Sequence, residues 1–270
     1  MEAKLYVILG SHACRTGMLM LDHKGIEYET VELPTGLHPF ALRLRGFAGN
    51  PGSFRRVDGR SNLMLGTADR MGTVPTLLLD GERVKSNREI ARFLDRIRPD
   101  PPLFPADPDR RREVEEAERW GDEVFQMATR RIGLAAALHG PDVFVNGGDD
   151  GRLGPLLWRN ATMRRLGART FARFVFRANT QTEQELLASL PGMLDRVDGW
   201  IETGLLNGDE LNAADFVIAP SLALLSYRRD TLPEIERRPA LELVDRLLPE
   251  PDAGPTAYAT GHVSQHTHAP

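Results

Sequence analysis

The chain has 270 residues, 41% hydrophobic and 27% charged, with a formal net charge of −4 and one cysteine, Cys14. This is the composition of an ordinary soluble globule of one large or two small domains. The weak negative charge argues against nucleic acid or an anionic membrane as the main partner, and a lone cysteine excludes an internal disulfide and suits a reducing, cytoplasmic setting. No apolar run has the length of a membrane span or the pattern of a secretion signal.

In chain order, the first apolar run, KLYVILG over residues 4–10, reads as a strand. Ser11 stands where the first helix begins. That helix ends near Lys24-Gly25 and leads into a second strand around Tyr28 and Glu29. His38 precedes Pro39 at the start of a second helix over residues 38–46. Residues 48–72 then form a long stretch of glycines, polar residues and arginines with no clear period. Long loops inside a compact domain are often functional. From Gly72 to Leu94 the chain reads GTVPTLLLDGERVKSNREIARFL. Val74-Pro75 opens a strand at a place where no ladder N–H is needed. Asp80-Gly81 between two apolar runs predicts a hairpin. Ser86 or Asn87 caps a helix that carries Ile90, Phe93 and Leu94 on one face. The order βαβα, then ββα, predicts a mixed sheet with helices on its faces.

Residues 99–106, PDPPLFPA, hold four prolines and read as a linker. From Asp107 to about Pro249 the pattern is helical. One long helix is predicted from Asp107 to about Leu138, a glycine-rich loop at 140–154, and helices at 155–178, 182–203, 213–228 and 233–248. Residues 250–270 are rich in Pro, Gly, Thr and His and predict a disordered tail. Its histidines, His262, His266 and His268, lack acidic or cysteine partners, so no metal site is expected.

Two side chains suggest chemistry. A helix N-terminus offers unpaired N–H groups and the positive end of the dipole, which favour a thiolate. A hydroxyl at Ser11 donating to a bound thiol would stabilise its anion, though Ser11 can also be a plain N-cap. Cys14 lies near the same helix end, and its simplest reading is a small buried core residue.

Several of these segments resemble the cytosolic glutathione transferases. Val74-Pro75-Thr76-Leu77, Asp80-Gly81, the pair Ser86-Asn87 and Ile90-x-x-Phe93-Leu94 resemble the family's thiol-binding half. Ser11-His12-Ala13-Cys14-Arg15 falls where the family has its catalytic Ser or Cys motif. Residues 18–29 are similar to its first helix, ending in Lys-Gly-Ile. Leu211-Asn212-Ala213-Ala214-Asp215-Phe216 resembles the capping box of its all-helical domain. The resemblance spans roughly residues 4–248 and is to bacterial Ser-type or omega-like members. It implies an α/β thioredoxin-like N-terminal domain over 1–98, the linker 99–106 and an all-α domain over 107–249.

The resemblance also implies roles. Ser11 would activate the thiolate, while Cys14 sits at the resolving position of two-cysteine redox relatives. His38 would meet the glycyl carboxylate of glutathione, with Arg43 and Arg45 as alternative cations. Val74 and Pro75, joined by a cis bond, would present the backbone to the thiol peptide like an added strand. Ser86 and Asn87 would receive the γ-glutamyl group. Here Ser86 replaces the family's Glu or Gln and cannot pair with the α-ammonium as a carboxylate would. Another low-molecular-weight thiol therefore stays open beside glutathione. His12 replaces an aromatic or Pro and is read as a solvent-facing turn residue, with contact to a second substrate as the alternative. Trp120, Phe125, Met127, Trp158, Phe171, Phe174 and Phe176 are read as core, with a second-substrate cleft as the alternative. The insertion 48–72 flanks the expected site, as a cover or as decoration.

The expected function is conjugation of a low-molecular-weight thiol to a small hydrophobic electrophile by a cytoplasmic homodimer without metal. Two alternatives remain: a thiol-disulfide oxidoreductase or deglutathionylase using Cys14, and a non-catalytic binding module.

Overall fold

The computed structural model describes residues 1–8, 10–48, 72–135 and 179–249. Nearly all of the insertion, the 140–154 loop, the helix expected at 155–178 with Trp158, Phe171, Phe174 and Phe176, and the tail lie outside the described residues.

Four strands form one sheet in the order β2-β1-β3-β4. β1 (Ala3–Val7) is central and buried except at Lys4, which is why it reads as an unbroken apolar run rather than an alternating one. It runs parallel to β2 (Glu29–Glu32) and antiparallel to β3 (Thr76–Leu79). β3 and β4 (Glu82–Lys85) form the predicted hairpin. Its turn residues Asp80 and Gly81 have φ of 47° and 89°, the left-handed pair that matches the twist of a two-residue hairpin. Val74-Pro75 is cis, as the resemblance implied, and so is Asp100-Pro101.

α1 (His12–His23) buries Cys14, Leu19, Met20 and Leu21, and its course ends at Gly25, where φ is 59°. α2 (His38–Leu44) packs Leu42 with Tyr6, Leu33 and Phe47 in a small separate cluster. α3 (Ser86–Ile97) turns Ile90, Phe93 and Leu94 inward, the stripe its spacing predicts.

Lys24 fastens the proline-rich connection to the sheet. It is buried, and its ammonium donates to Asp95 Oδ1 at 2.8 Å and to the carbonyls of Arg98 and Pro101. Three N–H donors meet three acceptors, so the buried charge is fully satisfied. Asp95 Oδ1 also accepts from Leu103 N at 2.7 Å.

The helical region begins with α4 (Pro108–Trp120), where Asp107 caps the N–H of Arg110 at 2.8 Å and proline takes the first position. The single long helix predicted from Asp107 is interrupted. Gly121–Phe125 is a π-helical turn, and α5 (Gln126–Ala135) follows. The turn opens on Gly121, where a Cβ would lie 3.0 Å from Val217 and Ile218. α6 (Thr180–Glu202), α7 (Ala213–Ser226), α8 (Leu232–Ile235) and α9 (Ala240–Leu247) complete the described helices. Every residue of α7 but Ser226 is buried, as in a helix surrounded by others. It packs against α1, α4, α5 and α9, so one apolar core runs from Leu5 and Leu77 in the sheet to Phe216 and Leu222 in α7. Trp120 stacks on Phe125 at 5.1 Å and meets Trp200 edge-on, which makes the first two aromatics core, as expected. No helix among the described residues is long and apolar enough to cross a membrane.

Candidate functional site

Ser11 is the N-cap of α1, in extended conformation at φ −84° and ψ 111°. Its Oγ accepts from Cys14 N at 3.4 Å, a long contact, and its hydroxyl also acts on the Cys14 thiol. The first turn of α1 holds no acidic residue to compete for the positive helix end.

Cys14, 1% exposed, points into the core. Burial pushes its thiol up from the usual value, against smaller downward pulls from Ser11, the Ile8 backbone and Arg130. A buried thiol held in its neutral form is a poor nucleophile.

His12 is 4% exposed, so the solvent-facing reading is corrected. It takes the first position of α1, a helix that packs against α3 and α7. Burial, then the charge of Arg130, lowers its pKa well below the usual value, so the ring is neutral. The nearby Gln126 backbone pulls weakly the other way, and Nε2 has no hydrogen-bond partner among the described residues.

Asn87 joins two elements. Its Nδ2 donates to the carbonyl of Ala13 at 2.9 Å, tying the start of α3 to the start of α1, and its buried Oδ1 has no partner among the described residues. Ser86 beside it has φ 62°, a left-handed conformation rare outside glycine and common at ligand clamps. Its hydroxyl accepts from Glu89 N at 3.3 Å. Pro75 packs on α1 at Gly17, where a Cβ would touch the proline ring at 3.5 Å. Ser11, Cys14, Pro75, Ser86 and Asn87 thus converge on the N-terminal half of α1. Val74 is half-buried against both apolar clusters.

His38 opens α2. Burial lowers its pKa to about 4, so the ring is neutral at pH 7 and any contact with a carboxylate would be a neutral N–H donation. Arg45 donates to the Ala41 carbonyl at 2.9 Å and lies over the Tyr6 ring.

Sequence reasoning missed a polar group on the helical side: Asp122, Gln126 and Arg130. Gln126 is 7% exposed, and its Oε1 accepts from Arg130 Nη2 at 3.1 Å. Burial lowers Arg130 to about 10, which leaves it charged at neutral pH. Burial and the neighbouring Glu118 raise Asp122 to about 6, against the pull of Arg88 and Arg130. Glu118 itself is fully buried and takes a two-pronged contact from Arg92 at 2.9 and 2.8 Å. The only signal in the sequence was Gly121, a helix-interior glycine. Among the described residues no group of His, Cys, Asp or Glu is placed to hold a metal ion.

No protein-family model matches the chain, and no curated protein matches it in sequence. Solved structures do. A glutathione S-transferase from Ceriporiopsis subvermispora, solved in complex with glutathione, aligns with TM-score 0.58 at 15% identity over 92% of this chain and 96% of that one. One from Rhodospirillum rubrum F11 aligns with TM-score 0.53 at 18% identity over 93% and 94%. A GST-like protein from Pseudomonas syringae aligns with TM-score 0.54 at 16% identity over 92% of this chain, which spans 66% of that protein's length. The chain has the glutathione transferase fold: a thioredoxin-like sheet domain followed by an all-helical one.

Proposed function

We propose that the protein conjugates a low-molecular-weight thiol, glutathione or a close analogue, to a small hydrophobic electrophile. The observation that carries this reading is the site at the N-terminus of α1. There Ser11 caps α1, Asn87 at the start of α3 bonds to Ala13 in its first turn, and Pro75 packs further along at Gly17, on a fold that another protein uses to hold glutathione. Val74 would pair its backbone with the thiol peptide. Ser86 and Asn87 would receive its carboxylate at the start of α3, and His38 would donate to the second carboxylate. The Ser11 hydroxyl would donate to the sulfur and favour the thiolate. The thiol proton passes to water and the sulfur lone pair forms an S–C bond. A leaving group then departs with its electron pair, or a π pair shifts to the neighbouring carbon, which takes a proton from water.

The buried, neutral Cys14 favours this reading over thiol-disulfide exchange. The proposal includes a cytoplasmic, detoxifying role, two domains divided at residues 99–106, and a homodimer, which light scattering would test against the monomer mass of 30.1 kDa. The decisive experiment measures glutathione affinity by calorimetry and conjugation rates for wild type, Ser11→Ala and Cys14→Ala. Loss of turnover in the serine variant alone is expected. Loss in the cysteine variant alone would overturn the assignment of Ser11. Absence of any thiol binding would favour a non-catalytic module.

A further inference from the structure

The break in the first helix of the helical region deepens that reading, on which this inference rests. In an unbroken α-helix two residues five apart point about 140° away from each other. Glu118 and Glu123 are five apart, yet they share one partner. Arg88 Nε lies 3.7 Å from Glu118 Oε2, and Arg88 Nη1 donates to Glu123 Oε1 at 3.3 Å. The turn at Gly121–Phe125 is π-helical and closes at i→i+5, which brings the two carboxylates to one side. Arg88 belongs to the first turn of α3, directly after Ser86 and Asn87. Arg92, one turn further, makes its two-pronged contact with the fully buried Glu118 and donates to the Arg88 carbonyl at 3.0 Å. Desolvation offsets most of the attraction in a buried ion pair, so such a pair is weak evidence of stability. Its geometry, however, joins the start of α3 to the helical region. The bond from Asn87 Nδ2 to the Ala13 carbonyl ties the same start to α1. The segment carrying Ser86 and Asn87 is held from both.

We propose that Arg88 and Arg92, gripped by Glu118 and Glu123 across the π-helical turn, are positioning residues that set the placement of Ser86 and Asn87. Through them the helical region sets how tightly the sheet domain holds the carboxylate of a thiol peptide. Their action runs through the backbone of α3. A regular helix would turn the Glu123 carboxylate away from Arg88, so the π-helical turn supplies the second arm of the grip. Glu118 is the buried arm and Glu123 the outer one. The side chains of Arg88 and Glu123 are 35% and 55% exposed, so either can be truncated without opening the core.

The test uses the full chain with glutathione, and 1-chloro-2,4-dinitrobenzene as the electrophile. The variants are Arg88→Met, Glu123→Ala and the double. Calorimetry reads Kd for glutathione, and steady-state rates read KM against kcat. The expected result for Arg88→Met is a rise of about 5-fold or more in both Kd and KM for glutathione, the lower end of coupling between linked sites. The kcat at saturating glutathione should stay near wild type, as for a loss of uniform binding. Glu123→Ala should move the same constants less. The double variant should match Arg88→Met, because Glu123 acts through Arg88. A lower melting temperature with unchanged Kd would make the cluster a structural clamp only and overturn the proposal. Amide exchange over residues 86–94 supplies a readout that needs no thiol. Faster exchange in Arg88→Met is expected, and equal exchange overturns the positioning. Absence of glutathione binding by the wild type would overturn the conjugation reading. Faster exchange in the variant would then still uphold the placement of α3 by the π-helical turn.

Discussion

Two helix N-termini in this protein are built from the same kind of capping residue and finished differently. At α7, Asn212 and Asp215 form a closed capping box. Asn212 Oδ1 accepts from Ala214 N at 2.9 Å, and Asp215 accepts from Asn212 N at 2.8 Å and Asn207 N at 2.7 Å. Asn212 Nδ2 adds a bond to the Leu205 carbonyl at 2.7 Å. At α1, Ser11 offers one long contact at 3.4 Å, no acidic residue follows, and the buried atoms His12 Nε2, Asn87 Oδ1 and Gln126 Nε2 lack partners among the described residues. A closed cap spends its polar groups on the fold. An open one keeps donors and the helix dipole for a ligand. The contrast sets a closed cap at α7 against an open one at α1.

The largest expected effect lies at the closed cap. Asp215→Ala removes two bonds to a buried carboxylate and should cost about 3 kcal/mol in denaturant unfolding. A loss below about 1 kcal/mol would erase the contrast with α1. The open cap should answer in the opposite currency. Ser11→Ala should lower conjugation about 10- to 100-fold, the equivalent of about 1.5–3 kcal/mol for a hydrogen bond to an anion. Its unfolding free energy should change by less than about 1 kcal/mol, because the 3.4 Å bond it loses is weak. A larger stability loss than activity loss would make Ser11 another structural cap.

Cys14→Ala should cost about 1 kcal/mol of stability for its buried sulfur and leave conjugation near wild type. Abolished activity would move the chemistry from Ser11 to the thiol. A separate effect, read from pH, is expected at Asp122. Its folded pKa of about 6 lies above the ordinary carboxylate value of 3.8. The folded state therefore binds the extra proton, and stability falls as pH rises from about 4 to about 6, then stays reduced. Asp122→Asn should flatten that slope and melt slightly higher at pH 7. An unchanged profile across pH 4–8 by circular dichroism would place the carboxylate in solvent rather than beside Arg130.

Local sequence determined the elements on both sides of this comparison. Apolar alternation and the Asp80-Gly81 turn set the hairpin. The Pro108 start and the Asn212-Asp215 spacing set helix ends, because caps and turns depend on residues within four positions of each other. Ser11 was legible for the same reason, and so was the sheet-then-helix order of the fold. The burial of His12 was not. It depends on packing that brings Gln126 and Arg130, more than a hundred residues away in the chain, close enough to act on its ring. The close approach of Val217 and Ile218 on α7 to Gly121, where the helix breaks, was equally hidden. The vacancy at Gln126 Nε2 needed the structure too, because whether a polar atom is satisfied is settled by every neighbour at once. Sequence periodicity decided which residues face inward. Only tertiary packing decided which buried polar atoms were left without a partner among the described residues.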